Sequence, residues 1–113
     1  MEHLKKGLAG ESKACDYLIE KGYGIVERNY RSGKGEIDII AFKDICYYFI
    51  EVKYRKNNRY GYPEDFVNKK KFQMVQQTAE AYILQHDWHG RIRFDVIAIT
   101  GEEEPVHMED ITL

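Results

Sequence analysis

Three charged residues, Asp38, Glu51 and Lys53, lie in a stretch that is otherwise rich in Ile, Val, Tyr and Phe. This stretch runs from residue 35 to residue 55, and the polar pair Lys43-Asp44 near its middle predicts two antiparallel strands joined by a tight turn. Because side chains alternate along a strand, Glu51 and Lys53 should point the same way, and the turn should bring Asp38 beside them. Charged groups are costly to bury unless they are paired or bind a metal, so this cluster needs an explanation.

A divalent metal site is one explanation for the cluster. Magnesium prefers hard oxygen ligands and is typically held by one or two carboxylates together with substrate phosphate oxygens, and Asp38 and Glu51 could supply the carboxylates. Lys53 would then position an attacking water or stabilise charge at a scissile phosphate. The alternative is an ion pair on the solvent-facing side of a hairpin, where polar residues commonly alternate with apolar ones. The three residues by themselves leave both explanations open.

The first strand of this hairpin carries a second carboxylate. Strict alternation places Glu36 and Asp38 on one face, and Ile37, Ile39 and Ala41 on the other. Glu36 is therefore a secondary candidate for the site.

A helix predicted over residues 2–21 adds another carboxylate. Leu4, Leu8, Cys15 and Leu18 are spaced to form one apolar stripe along this helix, and Glu11 lies within the same stripe. A carboxylate within such a stripe is unusual unless it faces a polar pocket. Glu11 either does so or lies at the edge of the stripe and reaches water.

The remaining elements alternate strands with a second helix. Residues 25–30 and 91–100 predict strands, and residues 106–113 a short edge strand. A helix is predicted over residues 68–86 with Asn68 as its N-cap, and its buried stripe should consist of Phe72, Val75, Ala79, Tyr82 and Ile83. The predicted order is therefore helix, three strands, helix, strand.

Basic residues concentrate after the Glu51 strand and at the start of the second helix. They are Arg55, Lys56, Arg59, Lys69, Lys70 and Lys71, within a chain whose net charge is −2. Lysines in the first turn of a helix oppose its dipole, and a phosphate partner would offset that cost. Tyr54, Tyr60 and Tyr62 interleave with the cations, as in surfaces that stack nucleic-acid bases. A solvated charged face is the alternative.

These motifs together resemble a known nuclease superfamily. Asp38 followed by Glu51-Val52-Lys53 resembles the PD-(D/E)XK superfamily, which includes restriction endonucleases and Holliday-junction resolvases. The segments Gly35–Asp38, Phe49–Arg55 and Arg93–Val96 resemble more closely the YraN-like family of largely uncharacterised bacterial proteins in that superfamily. One departure is Ile37, which stands where the superfamily often has a proline.

The resemblance implies a fold and an activity. The fold would be α/β, with an αβββαβ restriction-endonuclease-like core, a central mixed sheet flanked by helices, and one nuclease-like domain over residues 1–113. The activity would be Mg²⁺- or Mn²⁺-dependent endonucleolytic hydrolysis of phosphodiester bonds in DNA, including branched or single-stranded DNA. A non-catalytic nucleic-acid-binding module of the same fold is the alternative. Resolvase-like relatives are often dimers, so a homodimer is also an open expectation.

The resemblance also implies roles for individual residues. Asp38, Glu51 and Glu11 would bind the metal, and Lys53 would act with them in catalysis. The residues expected to contact DNA are Arg55, Lys56, Arg59, Lys69, Lys70, Lys71 and Gln73.

Composition sets outer limits on these hypotheses. The chain has 113 residues, of which 43% are hydrophobic and 32% charged, values that are typical of a soluble globular domain. No apolar run approaches the length that spans a membrane, and the first residues have no apolar signal core. We therefore expect a cytoplasmic protein with no membrane partner, in which Cys15 and Cys46 are free thiols.

Overall fold

The computed structural model describes residues 2–55, 69–101 and 104–111. In chain order its elements are α1 (Glu2–Glu20), β1 (Gly24–Ser32), β2 (Gly35–Phe42), β3 (Cys46–Arg55), α2 (Lys69–Gln85), β4 (Arg91–Thr100) and β5 (Val106–Met108). This order confirms the predicted α/β class with an αβββαβ core, and β5 is the short edge strand expected after it. Asn68, the expected N-cap of α2, lies outside the described residues.

The strands form one mixed sheet in the order β1-β2-β3-β4-β5. Neighbouring strands are antiparallel except β3 and β4, which run parallel with Glu51 opposite Val96. Parallel neighbours need a crossover connection, and the segment that contains α2 provides it.

The two helices cover opposite faces of the sheet. On one face, Ala14, Cys15 and Leu18 of α1 pack against a cluster that includes Ile39 and Ile50. On the other face, α2 contributes buried residues of the predicted stripe to a cluster that includes Phe49, namely Val75, Ala79 and Tyr82. Because both faces of the central strands are covered, residues 39–42 of β2 and 46–50 of β3 form continuous apolar runs.

Strand β2 breaks the strict alternation that was expected of it. Ile39 and Ala41 share one face as predicted, the face covered by α1, but Ile37 packs with Ile40 on the α2 side. Ile37 and Ile40 are three positions apart, so strict alternation would have placed them on opposite faces. The alternation is therefore interrupted between them, in the segment that contains Asp38. The register between β2 and β3 begins at Ile39 opposite Ile50, so the preceding part of β2 is not held to the alternation of β3. The prediction for Ile37 was therefore wrong.

The turn between β2 and β3 places Asp44 and Ile45 in the left-handed region, with φ of 51° and 57°. Lys43 and Cys46 exchange two backbone hydrogen bonds of 3.1 Å across it. Two residues with positive φ between strands are typical of a type I′ hairpin, which normally has glycine at the second position. Ile45 is β-branched and 73% exposed, so its backbone is strained without compensating burial.

Replacing Ile45 by glycine should stabilise the protein. The left-handed conformation costs an L-residue roughly 1–2 kcal/mol, and glycine avoids this cost. Glycine also loses more conformational entropy on folding, which cancels roughly half of the stabilisation. We expect the free energy of unfolding, measured by urea denaturation, to rise by roughly 0.5–1 kcal/mol. Val26→Gly is a suitable control, since Val26 is exposed on β1 and is not among the residues with positive φ. The free energy of unfolding should fall in this control. If it also falls in Ile45→Gly, the backbone of Ile45 is not strained.

Two further expectations can be compared with the structure. Cys15 and Cys46 are buried free thiols, as predicted. No helix in the described ranges has both the length and the apolar character needed to cross a bilayer.

Candidate active site

A cavity of about 340 Å³ lies where β2 and β3 separate, near the carboxyl end of β3. Its lining residues are Glu36, Asp38, Glu51, Val52, Lys53, Lys71, Met74 and Val75. The hairpin therefore brings Asp38, Glu51 and Lys53 together, as their spacing predicted, and α2 closes the cavity from the other side.

Asp38 is oriented by the backbone of the neighbouring strand. The N–H of Val52 donates a 2.8 Å hydrogen bond to Asp38 Oδ2. Val52 lies beyond Ile50, where the register between β2 and β3 ends, so the carboxylate accepts a hydrogen bond at a point where that strand pairing has stopped. The phase shift in β2 and this hydrogen bond together set the direction of the Asp38 side chain.

The Glu51 side chain is only 12% exposed in the cavity. Its Oε2 lies 3.7 Å from Lys71 Nζ and 4.0 Å from Lys53 Nζ. Burial, and then the nearby carboxylate of Asp38, raise the pKa of Glu51 to about 7 although both lysines act in the opposite direction. The two lysines therefore do not fully offset the cost of ionising Glu51 beside Asp38.

Lys53 shares this crowded environment. Burial lowers its pKa, and the ammonium group of Lys71 lowers it further, while the carboxylates of Glu51 and Asp38 oppose the shift. A lysine with a lowered pKa gives up a proton more readily than an exposed one, so Lys53 is suited to exchange protons or to meet developing negative charge.

Glu11 lies on α1 and is not among the described residues that line the cavity, but its charge interacts with that of Asp38. Burial raises the pKa of Glu11, and the negative charge of Asp38 raises it further, against the effects of Asn29 and Arg28. Arg28 Nη2 lies 4.0 Å from Glu11 Oε1, which is too long for a hydrogen bond. Among the described residues this buried oxygen has no hydrogen-bond partner.

The carboxylates of Asp38 and Glu51, which line the same cavity, therefore suit a hard divalent cation. Glu11 and Glu51 are each destabilised in the charged form by burial and by Asp38, and Glu11 has an orphaned oxygen. A cation bound at Asp38 would offset the negative charge that raises the pKa of both glutamates, and carboxylate oxygens are the ligands that Mg²⁺ and Mn²⁺ prefer.

A tighter group of potential ligands lies elsewhere. In the part of the chain that the structure describes, Asp95, His107 and Glu109 have ligand atoms within 4.8 Å of one another. However, Arg93 Nη2 lies 3.2 Å from Asp95 Oδ2 and 3.0 Å from Glu109 Oε1, and His107 Nε2 lies 2.6 Å from Asp95 Oδ2. A guanidinium already neutralises these carboxylates, so we interpret this group as a structural clamp between β4 and the segment after it.

The other predicted residues are more dispersed. Glu36 lines the cavity but lies 3.5 Å from Arg31 in an exposed ion pair. Lys69, Lys70 and Gln73 are exposed on α2, and none of the three lines the cavity. Arg55 ends β3, but its side chain lies outside the described residues, as do Lys56 and Arg59.

Sequence reasoning missed two neighbours of the site. Met74 lines the cavity one helical turn after Lys71, a spacing that the predicted helix already contained. Arg28 faces Glu11 from β1, and the only available signal was a basic residue in a predicted strand.

Comparison with known proteins gives consistent matches. A model described as "Uncharacterised protein family UPF0102" matches residues 10–99. A UPF0102 protein of Cytophaga hutchinsonii is 64% identical over 113 residues, which cover 100% of both chains. Others are 43% identical in Phocaeicola vulgatus, covering 97% of this chain and 91% of the relative, and 45% identical in Persephonella marina, covering 85% and 84%.

Proposed function

Since the chain belongs to the uncharacterised protein family UPF0102, whose name assigns no activity, we propose from the site geometry that it is a metal-dependent DNA endonuclease. The observation that carries the proposal is that half-buried Asp38 and Glu51 line one open cavity together with Lys53 and Lys71. In an ordinary surface ion pair each carboxylate is stabilised by a cation. Here burial and the Asp38 carboxylate instead raise the pKa of Glu51 to about 7.

Each residue has a distinct task in this proposal. Asp38 and Glu51 would hold one Mg²⁺ or Mn²⁺ ion, and Glu11 would support it from α1. Such an ion would supply the positive charge that activates water and offsets charge on the phosphate. Lys53 would orient the attacking water or stabilise the charge that develops as the new P–O bond forms and the ester P–O bond breaks.

DNA binding without cleavage is the second candidate function. The observation that favours it is the placement of Lys69 and Lys70 in the first turn of α2, where both side chains are exposed. Cations at this end of a helix oppose its dipole, and phosphate groups would compensate. A nuclease and a non-catalytic module could both bind DNA through this surface. Only a cleavage assay therefore distinguishes the two functions.

Metal binding provides the direct test of the carboxylate site. Calorimetric titration with Mn²⁺ at pH 8 should give a single site whose affinity falls roughly tenfold or more in Asp38→Asn and in Glu51→Gln. The affinity of the wild-type protein should rise between pH 6 and pH 8, because the pKa of Glu51 is about 7 and a proton competes with the metal below it.

Two controls make this titration decisive. Glu20→Gln removes an exposed carboxylate at the end of α1 and should leave the affinity unchanged. Wild-type affinity in both Asp38→Asn and Glu51→Gln would eliminate the metal site and return these residues to a structural ion pair.

A further inference from the structure

A second cavity of about 330 Å³ adjoins the candidate active site, and Met74 contributes to the walls of both. Its other walls are the turn between β1 and β2, residues 32–35, together with Gln77 and Thr78 of α2. The described residues that line it include no carboxylate, in contrast to the first cavity.

Glycine builds the close contact between this turn and α2. A Cβ on Gly35 would overlap Thr78 Oγ1, so a larger residue could not approach the helix in the same way. Gly33 has a φ of 60°, and a Cβ built there would meet nothing within 4 Å. The turn is therefore anchored at Gly35, while Gly33 and the exposed Lys34 remain open to a ligand.

The surface that joins the two cavities has the chemistry of a phosphate-binding surface. Along α2, residues 69–78 contain lysines and glutamines but no acidic residue, and the first carboxylate of the helix is Glu80. Met74 is 39% exposed and forms an apolar ridge between the cavities. Cations and amide donors contact phosphates, and an apolar side chain between them suits a sugar or a base.

We propose that this second cavity is a phosphate-binding subsite for DNA, which holds the nucleotide adjacent to the one in the candidate active site. Lys34 neutralises the phosphate, the Gln77 amide donates a hydrogen bond to it, and Met74 contacts the sugar or base between the two cavities. The subsite rests on the proposed function, because it requires a DNA strand in the first cavity.

Salt-dependent DNA binding tests this subsite without requiring cleavage. Fluorescence anisotropy would be measured on labelled single-stranded and duplex DNA, in EDTA, over a series of salt concentrations. Lys34→Ala should flatten the slope of log K against log salt by about one, since one phosphate contact is lost. Gln77→Ala should weaken binding but leave the slope unchanged, because an uncharged amide releases no counterion.

Lys21→Ala is the matched control. Lys21 is also exposed, but it lines a different cavity with Tyr17, Tyr23 and His107. Its removal should not alter the slope, and neither exposed substitution should impair folding. A slope for Lys34→Ala equal to that of the wild type or of Lys21→Ala would overturn the subsite, as would absence of DNA binding by the wild-type protein.

The outcome can be separated from that of the proposed hydrolysis. A flatter slope in Lys34→Ala supports the subsite even if the wild-type protein cleaves no DNA with Mg²⁺ or Mn²⁺. That combination would remove the nuclease activity and retain the DNA-binding surface. Cleavage combined with an unchanged slope would instead retain the nuclease and overturn the subsite.

Discussion

Replacement of Lys53 by alanine is expected to reduce the rate of DNA cleavage by about 10²–10³-fold and to leave DNA affinity nearly unchanged. The Lys53 side chain is only 19% exposed and its Nζ lies 4.0 Å from Glu51 Oε2, so it is held beside the carboxylates proposed to bind the metal. A cation in that position matters most when negative charge develops on the phosphate, and its loss should lower kcat more than it raises KM.

The measurement compares single-turnover cleavage of branched, single-stranded and duplex DNA at saturating Mn²⁺ and pH 8. Saturating metal is needed because removal of the Lys53 charge beside Glu51 alters the electrostatics of metal binding, and saturation keeps the occupancy equal in both proteins. Lys70→Ala is the matched control, since Lys70 is exposed on α2 outside the cavity. It should weaken DNA binding at low salt and leave the rate at saturating substrate unchanged.

Two outcomes would refute this assignment in different ways. Full activity of Lys53→Ala would remove Lys53 from catalysis and attribute the cleavage to other groups. Absence of cleavage by the wild-type protein on every substrate and with both metals, together with retained DNA binding, would favour the non-catalytic module.

The second large effect is expected far from the cavity, at Asp95. This carboxylate is completely buried and accepts hydrogen bonds from His107 Nε2 at 2.6 Å and from the Asp110 N–H at 2.9 Å, with Arg93 Nη2 at 3.2 Å. It therefore ties β4 to β5 and to the residues after β5. Asp95→Asn keeps the shape but leaves the Arg93 guanidinium without its buried counter-charge, so we expect a loss of about 3 kcal/mol in the free energy of unfolding.

The pH dependence of this loss follows from the pKa of Asp95. Burial opposes ionisation, but the hydrogen bonds from His107 and Asp110 and the charges of His107 and Arg93 outweigh it and lower the pKa. The stabilising contribution is thus fully present above the pKa of an unfolded aspartate and is lost as the pH falls through the folded value. The difference between wild type and Asp95→Asn should be largest near pH 7 and should narrow in acid.

Urea denaturation of both proteins at pH 7 and at acidic pH measures this effect. Asp110→Asn is the control, because the Asp110 side chain is exposed and only its backbone N–H contacts Asp95. Asparagine also tolerates the positive φ of 55° at that position. The control should change stability by less than about 0.5 kcal/mol, and an equally small effect of Asp95→Asn would contradict the clamp.

The local sequence pattern was sufficient to predict the helices and strands and to bring Asp38, Glu51 and Lys53 together in the candidate site. The stripe of Val75, Ala79 and Tyr82 identified the buried face of α2, because helical periodicity directly reports which residues face the core. Asp38 could be placed beside Glu51 and Lys53 because a tight two-residue turn fixes the register of the hairpin. Each of these features depends on residues that are close in the chain.

The tertiary structure decided which distant groups meet at that site. Sequence periodicity indicates the buried face of an element but not which other element packs on it, so the approach of Lys71 to Glu51 was not determined by pattern. The same limit applies to the cavity beside Lys34 and to the clamp around Asp95, which joins residues from β4, β5 and the following segment. The orientation of Ile37 toward α2 was also decided by the tertiary structure, because the pairing of β2 with β3 does not extend to Ile37 and so does not hold it on the α1 side with Ile39.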